Sequence, residues 1–214
     1  MTEPGAVFQV FQILDHAGIA LFALSGGIIS ARKGLDPFGA AVIGMVAGTG
    51  GGTIRDVVLG SLPVTWVLTP HLLLVALLAG LAGYYGSELV RGPAGARQQA
   101  LVWADAAGLA VFCVIGARAG LDAGAPAVIA LVTGVLSAAF GGVLRDALVN
   151  DVPLIFREEI YALAALFGAG VYVLLVGLGA SENWSAPSGA LAAFALRVCA
   201  IRYGWRLPAI GRID

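Results

Sequence analysis

The chain has 214 residues, 59% of them hydrophobic and only 12% charged, with a formal net charge of −1 and a mean hydropathy of +0.93. A soluble domain carries about 25% charged residues, so this chain lacks the polar side chains to cover a soluble surface. No basic run is present, which excludes a nucleic-acid surface.

In chain order the sequence offers apolar runs, each near the ~20 residues that a spanning helix needs. They lie at 8–30, 38–60, 67–89, 100–119, 126–149, 160–180 and 187–206. No Arg or Lys precedes Arg32. The first run therefore lacks the basic flank of a signal peptide and reads as a retained span. Short separators follow, marked by Pro37, Pro63, Pro93, Pro126 and Pro153. Cys113 and Cys199 fall inside apolar runs and read as small buried hydrophobes. Trp66, Trp103, Trp184 and Trp205 fall near span ends, where interfacial anchors sit. Alternating the spans puts Arg32, Lys33, Arg91, Arg97, Arg157, Arg202, Arg206 and Arg212 on one side and Arg118 alone on the other. Basic loops stay cytoplasmic, so the N-terminus is expected outside and the C-terminus inside.

A shift of 90 residues aligns two halves. Asp15 and Phe22 fall on Asp105 and Phe112, Gly51 to Asp56 on Gly141 to Asp146, and Pro63 on Pro153. Between these blocks the best local shift is 86, which places Ala31 to Asp36 on Ala117 to Asp122. Each half, about 8–90 and 100–180, holds three spans. Because three is odd, the second half must enter from the opposite face. The expected fold is an all-α membrane protein in one transmembrane domain: seven transmembrane helices, two inverted three-helix repeats plus a seventh helix at about 187–206.

Gly50, Gly51 and Gly52 sit mid-span beside Thr49 and Thr53, and Gly141 and Gly142 sit at the equivalent place in the fifth span. A stripe of Gly44, Gly48 and Gly52, matched by Gly134, Ala138 and Gly142, suits close helix packing. Three glycines in a row also invite a helix break, which at membrane depth is tolerated only where buried or beside a wet cavity. Arg55-Asp56 and Arg145-Asp146 follow these glycines. Intramembrane charges face the bundle interior and pair, and the expected ion pairs are Asp15–Arg55 and Asp105–Arg145. If the helices break, Asp56 and Asp146 open new half-helices and complement their dipoles. The preceding carbonyl ends then favour a cation. His16 and His71 stand isolated in sequence and read as ordinary polar contacts. Arg197 lies inside the seventh span, with Arg202 and Arg206 placed to snorkel to headgroups. No nucleophile–base set, phosphate loop or metal-ligand spacing is present, so neither an enzyme nor a metal site is expected.

Gly50-Gly51-Gly52-Thr53-Ile54-Arg55-Asp56, its echo Gly141-Gly142-Val143-Leu144-Arg145-Asp146, and the tail of Arg197, Arg202, Tyr203, Trp205 and Leu207-Pro208 resemble the bacterial branch of the TRIC family. These are the trimeric intracellular cation channels, and the resemblance runs from about residue 10 to 208. It implies a homotrimer in the bacterial cytoplasmic membrane, with a monovalent-cation, chiefly potassium, pore in each protomer. The second and fifth spans would line that pore. Carried over, the motif places Gly50, Gly51, Gly52, Thr53, Arg55 and Asp56 in one half of the pore and Gly141, Gly142, Arg145 and Asp146 in the other. The ligands implied are the permeant potassium ion and lipid, with no cofactor and no nucleic acid. Phe140 and Val143 depart from the first motif, so the second break is expected to be milder. The wider bacterial family also carries a glycine-transporter label, which keeps secondary transport of a small solute such as glycine as the alternative.

Overall fold

In lipid, backbone N–H and C=O groups must be satisfied within their own segment, which turns apolar runs into helices. The computed structural model describes residues 4–89, 96–157 and 160–205. Arg91, Arg206 and Arg212, the Leu207-Pro208 tail, and the side chains of Arg97 and Arg157 lie outside the described residues. Among the described residues the structure is helical throughout. In order come α1 (Pro4–Arg32), α2 (Pro37–Leu59), α3 (Thr65–Leu68), α4 (His71–Leu89), α5 (Ala96–Asp122), α6 (Ala127–Leu148), α7 (Leu154–Arg157), α8 (Tyr161–Gly177) and α9 (Glu182–Tyr203).

The start and stop residues act locally. Pro37 opens α2, and the Asp36 carboxylate accepts the Gly39 N–H at 2.7 Å, an N-cap. Gly60 closes α2 with a left-handed φ of 68°. The seventh span begins earlier than its apolar run, because Ser181 opens α9 and Pro187 is carried inside the helix.

By length and composition, five helical segments are able to cross a membrane: Val10–Arg32, Pro37–Leu59, Gln98–Asp122, Ala127–Leu148 and Glu182–Tyr203. His71–Ser87 and Tyr161–Gly177 are shorter apolar stretches.

The expected glycine breaks are absent. α2 and α6 run as continuous helices through Gly50 to Gly52 and through Gly141 and Gly142. A break would strand backbone groups at several kcal/mol each in an apolar medium, whereas helical Gly costs only about 1 kcal/mol against Ala. Thr49 and Thr53 satisfy their hydroxyls within the helix by donating them to the Met45 and Thr49 carbonyls, both at 2.8 Å.

The glycines serve helix crossings instead. A Cβ on Gly51 would collide with the Ser137 carbonyl, and one on Gly141 with the Ala47 carbonyl. These contacts exchange under the 90-residue shift, which carries Ala47 onto Ser137 and Gly51 onto Gly141. α1 and α5 meet in the same manner. A Cβ on Gly18 would lie 3.0 Å from the Phe112 ring, and one on Gly108 would lie 2.7 Å from the Phe22 ring. Within the first half, Gly44 packs backbone against backbone on Gly80, where an added Cβ would sit 2.8 Å from the Gly80 Cα. α9 lies against α5 and α8.

Candidate functional site

The Arg-Asp motif ends each of the two crossing helices. Arg55 and Asp56 occupy the last turns of α2, and Arg145 and Asp146 those of α6. A carboxylate near a helix C-terminus opposes the dipole, so each Asp needs other partners. Both find them in the same way. The Arg55 Nε donates to Asp56 Oδ1 at 2.8 Å, and the Arg145 Nε donates to Asp146 Oδ1 at 2.8 Å. The second carboxylate oxygen ties down the next short helix. Asp56 Oδ2 accepts the Thr65 N–H at 2.8 Å and the Thr65 hydroxyl at 2.7 Å. Asp146 Oδ2 accepts the Leu154 N–H at 3.2 Å. Asp56 and Asp146 therefore staple α2 to α3 and α6 to α7. Their expected place at the start of half-helices falls with the helix breaks.

The remaining guanidinium nitrogens separate the two clusters. Arg145 Nη1 donates to Asp105 Oδ1 at 2.8 Å and to Ser25 Oγ at 2.6 Å. This joins α6 to α5 and α1. Arg145 is 0% exposed and Asp105 1%, so this side is sealed. Arg145 Nη2 finds no hydrogen-bond partner among the described residues. The expected Asp15–Arg55 pair is not formed: Arg55 spends its contacts on Asp56, with Nη2 to Oδ1 at 2.7 Å. At the position equivalent to Ser25 stands Ile115, which offers no acceptor.

Asp15 and Arg55 still face one cavity. It has about 20 Å³, room for about one water, and Gly48, Thr49, Gly52, Asp56 and Trp66 also line it. A wider hollow of about 240 Å³ shares Asp15 and Arg55 and adds Arg118 and Asp122. Arg118 bridges Asp122 at 3.4 Å and Glu182 at 3.2 Å, with its guanidinium 3.7 Å from the centre of the Phe11 ring. The two hollows share Asp15 and Arg55, the narrower one reaching Trp66 and Thr65 and the wider one Arg118 and Asp122. Counting formal charges, Asp15 and Asp56 against Arg55 leave one negative charge in excess, as do Asp105 and Asp146 against Arg145.

The expected site residues therefore divide. Gly52, Arg55 and Asp56 line the smaller cavity. Gly51 and Gly141 are helix contacts, and Gly50 packs on Leu144. Gly142 lies against Asp105, Tyr161 and Arg145, where a Cβ would come within 3.2 Å of Asp105 Oδ1. Thr53 accepts the Trp66 indole N–H at 2.9 Å, which draws Trp66 inward from the interfacial place expected for it. Trp103, Trp184 and Trp205 are exposed. Thr65, Trp66 and Ser25 were not legible in the sequence. They lie outside the repeated motif, and only the chain path brings them to it. His16 and His71 are not isolated either, since their rings stack with centroids 5.1 Å apart. Arg197 is buried, 5.2 Å from the centre of the Tyr161 ring.

The family model described as Glycine transporter matches residues 12–88 and again 102–177. The inner membrane protein YadS of Escherichia coli, a UPF0126 protein, is 38% identical over 91% of this chain and 93% of its own. The UPF0126 membrane protein of Vibrio cholerae is 36% identical over 94% of this chain and 82% of its own. The chain belongs to this UPF0126 family of membrane proteins, the Glycine transporter family. Its fold is that of the TRIC channels. The TRIC trimeric intracellular cation channel orthologue from Rhodobacter sphaeroides superposes with a TM-score of 0.87 at 40% identity, over 92% of this chain and 99% of that one. A prokaryotic TRIC channel superposes with a TM-score of 0.86 at 28% identity, over 94% of this chain and 100% of that one.

Proposed function

We propose that the protein is a passive channel for monovalent cations, chiefly potassium, with one pore in each protomer of a homotrimer in the bacterial inner membrane. In this reading all seven long helices cross the membrane. The shorter α4 and α8 fit within the ~17–25 residues that suffice for a span. The two halves are inverted repeats, a reading supported by the family match to each half and by the contacts that exchange under the 90-residue shift. Trimer formation and cation conduction rest on the likeness to TRIC channels of known structure.

The observation that carries the reading is the pair of hollows sharing Asp15 and Arg55 beside α2, with their excess of carboxylate; in this reading the wider is a vestibule and the narrower its constriction. A cation entering there sheds water only where carboxylate and hydroxyl oxygens replace it, and Asp15 and Thr49 supply those oxygens. The route continues along the α2–α6 crossing and is closed at the sealed Arg145–Asp105–Ser25 cluster. Opening requires this cluster to rearrange, and the unused Arg145 Nη2 gives water a place to enter it. The second reading, a glycine transporter, draws on the family's description. Purified protein in proteoliposomes separates the two. A channel gives unitary currents carried by potassium that do not saturate at modest concentration. A transporter gives saturable glycine uptake that unlabelled glycine competes away.

A further inference from the structure

A second polar feature lies outside the Arg-Asp clusters. His16, on α1, and His71, the first residue of α4, bring their Nε2 atoms to 3.1 Å with rings only 17° from parallel. Each is next in sequence to a residue lining the constriction, Asp15 and Leu72. We propose that His16 and His71 form a binding site for a divalent transition-metal ion such as copper(II), zinc or nickel, which clamps α1 to α4 at the mouth of the vestibule.

The separation suits the ion. At about 2.05 Å from each nitrogen, a metal between nitrogens 3.1 Å apart makes an N–M–N angle of about 98°, between octahedral and tetrahedral values; the Nε2 atoms now point at each other, so each ring must swing to turn its lone pair onto the ion. The tautomer is also set. His16 Nδ1 lies 2.6 Å from the Gln12 carbonyl oxygen. An N–H donated there leaves the His16 Nε2 lone pair outward, the outer-sphere arrangement common to ligating histidines. His71 Nε2 then donates to His16 without metal. To ligate, His71 moves its proton to Nδ1 through solvent, with no net change of charge. No third His, Cys, Asp or Glu completes a closed set among the described residues. Water fills the other positions, so the site is exchangeable and follows the imidazole preference for copper, nickel and zinc. The proposal stands apart from conduction and holds or falls with binding alone.

The test is copper(II) titration of the purified full-length protein in detergent, in mildly alkaline buffer because ligating imidazoles must be neutral. It is read by calorimetry and by electron paramagnetic resonance. The expected result is one ion per protomer with nitrogen splitting from two imidazoles. His16→Asn and His71→Asn should each lower affinity by about tenfold or more, since outer-sphere partners alone are worth about 10–100-fold. Both residues are at least partly exposed, so the variants keep the fold, checked by circular dichroism. Unchanged binding in both variants, a one-nitrogen spectrum in the native protein, or no binding overturns the proposal.

Discussion

Arg145 holds Asp105 and Ser25 through one nitrogen and Asp146 through another, so losing it leaves two carboxylates buried without their cation. Breaking a buried pair from one side costs about 3–5 kcal/mol. Arg145→Met should lower stability by that order, measured by thermal unfolding in detergent, and Asp105→Asn by less, because the amide oxygen still accepts. Asp15 behaves differently. It takes part in no ion pair among the described residues and faces the constriction. Asp15→Asn should leave the unfolding temperature nearly unchanged yet shift the reversal potential in a potassium gradient toward weaker cation preference. A large loss of stability with intact selectivity would assign Asp15 a structural part. Both arginines and all four aspartates stood out in the sequence as charges in apolar runs. Their pairing was only half legible. The repeat argues for equal pairs, but Ile115 stands where Ser25 has its counterpart, and Arg55 turns to its own neighbour.

The glycine motif was conspicuous in the sequence while its mechanical role was not. Three consecutive glycines suit a broken helix and an intimate crossing equally well, and only the facing carbonyls of Ser137 and Ala47 decide for the crossing. That distinction is testable by substitution along one helix. Gly51→Ala and Gly141→Ala place a methyl against backbone, where overpacking costs about 1–3 kcal/mol. Because the two contacts are equivalent, the losses should be similar. Gly52→Ala meets only Arg55 Nη2, at 3.7 Å, so it should fold normally and reduce current by narrowing the constriction. Gly170→Ala, on α8 with nothing within 4 Å, is the control and should gain up to about 1 kcal/mol from helix propensity. If Gly51→Ala were as stable as that control, α2 and α6 would not cross as described.

Across the whole molecule, the class and the seven helical segments could be read from apolar runs and the 90-residue repeat, because lipid leaves the backbone few alternatives. Helix ends were less legible. α9 gains a turn before Pro187, and α3 and α7 are short helices that no apolar period marks. They exist because Asp56 and Asp146 anchor their first residues. Lys33 and Asp151 lie 3.7 Å apart, which puts the loops after α1 and α6 on one side, the side that the bias of basic residues predicts to be cytoplasmic. Single cysteines at Lys33 and at Asp122 should therefore differ in intact cells: an impermeant maleimide labels the second and spares the first. Cation conduction past the proposed Asp15–Arg55–Asp56 constriction is read by single-channel recording of the purified protein in planar bilayers. The native protein should give potassium-carried unitary currents, reduced in amplitude by Gly52→Ala and less cation-selective in Asp15→Asn. Unitary currents unaltered by both substitutions in correctly folded protein, or no current alongside saturable glycine uptake, would overturn the channel.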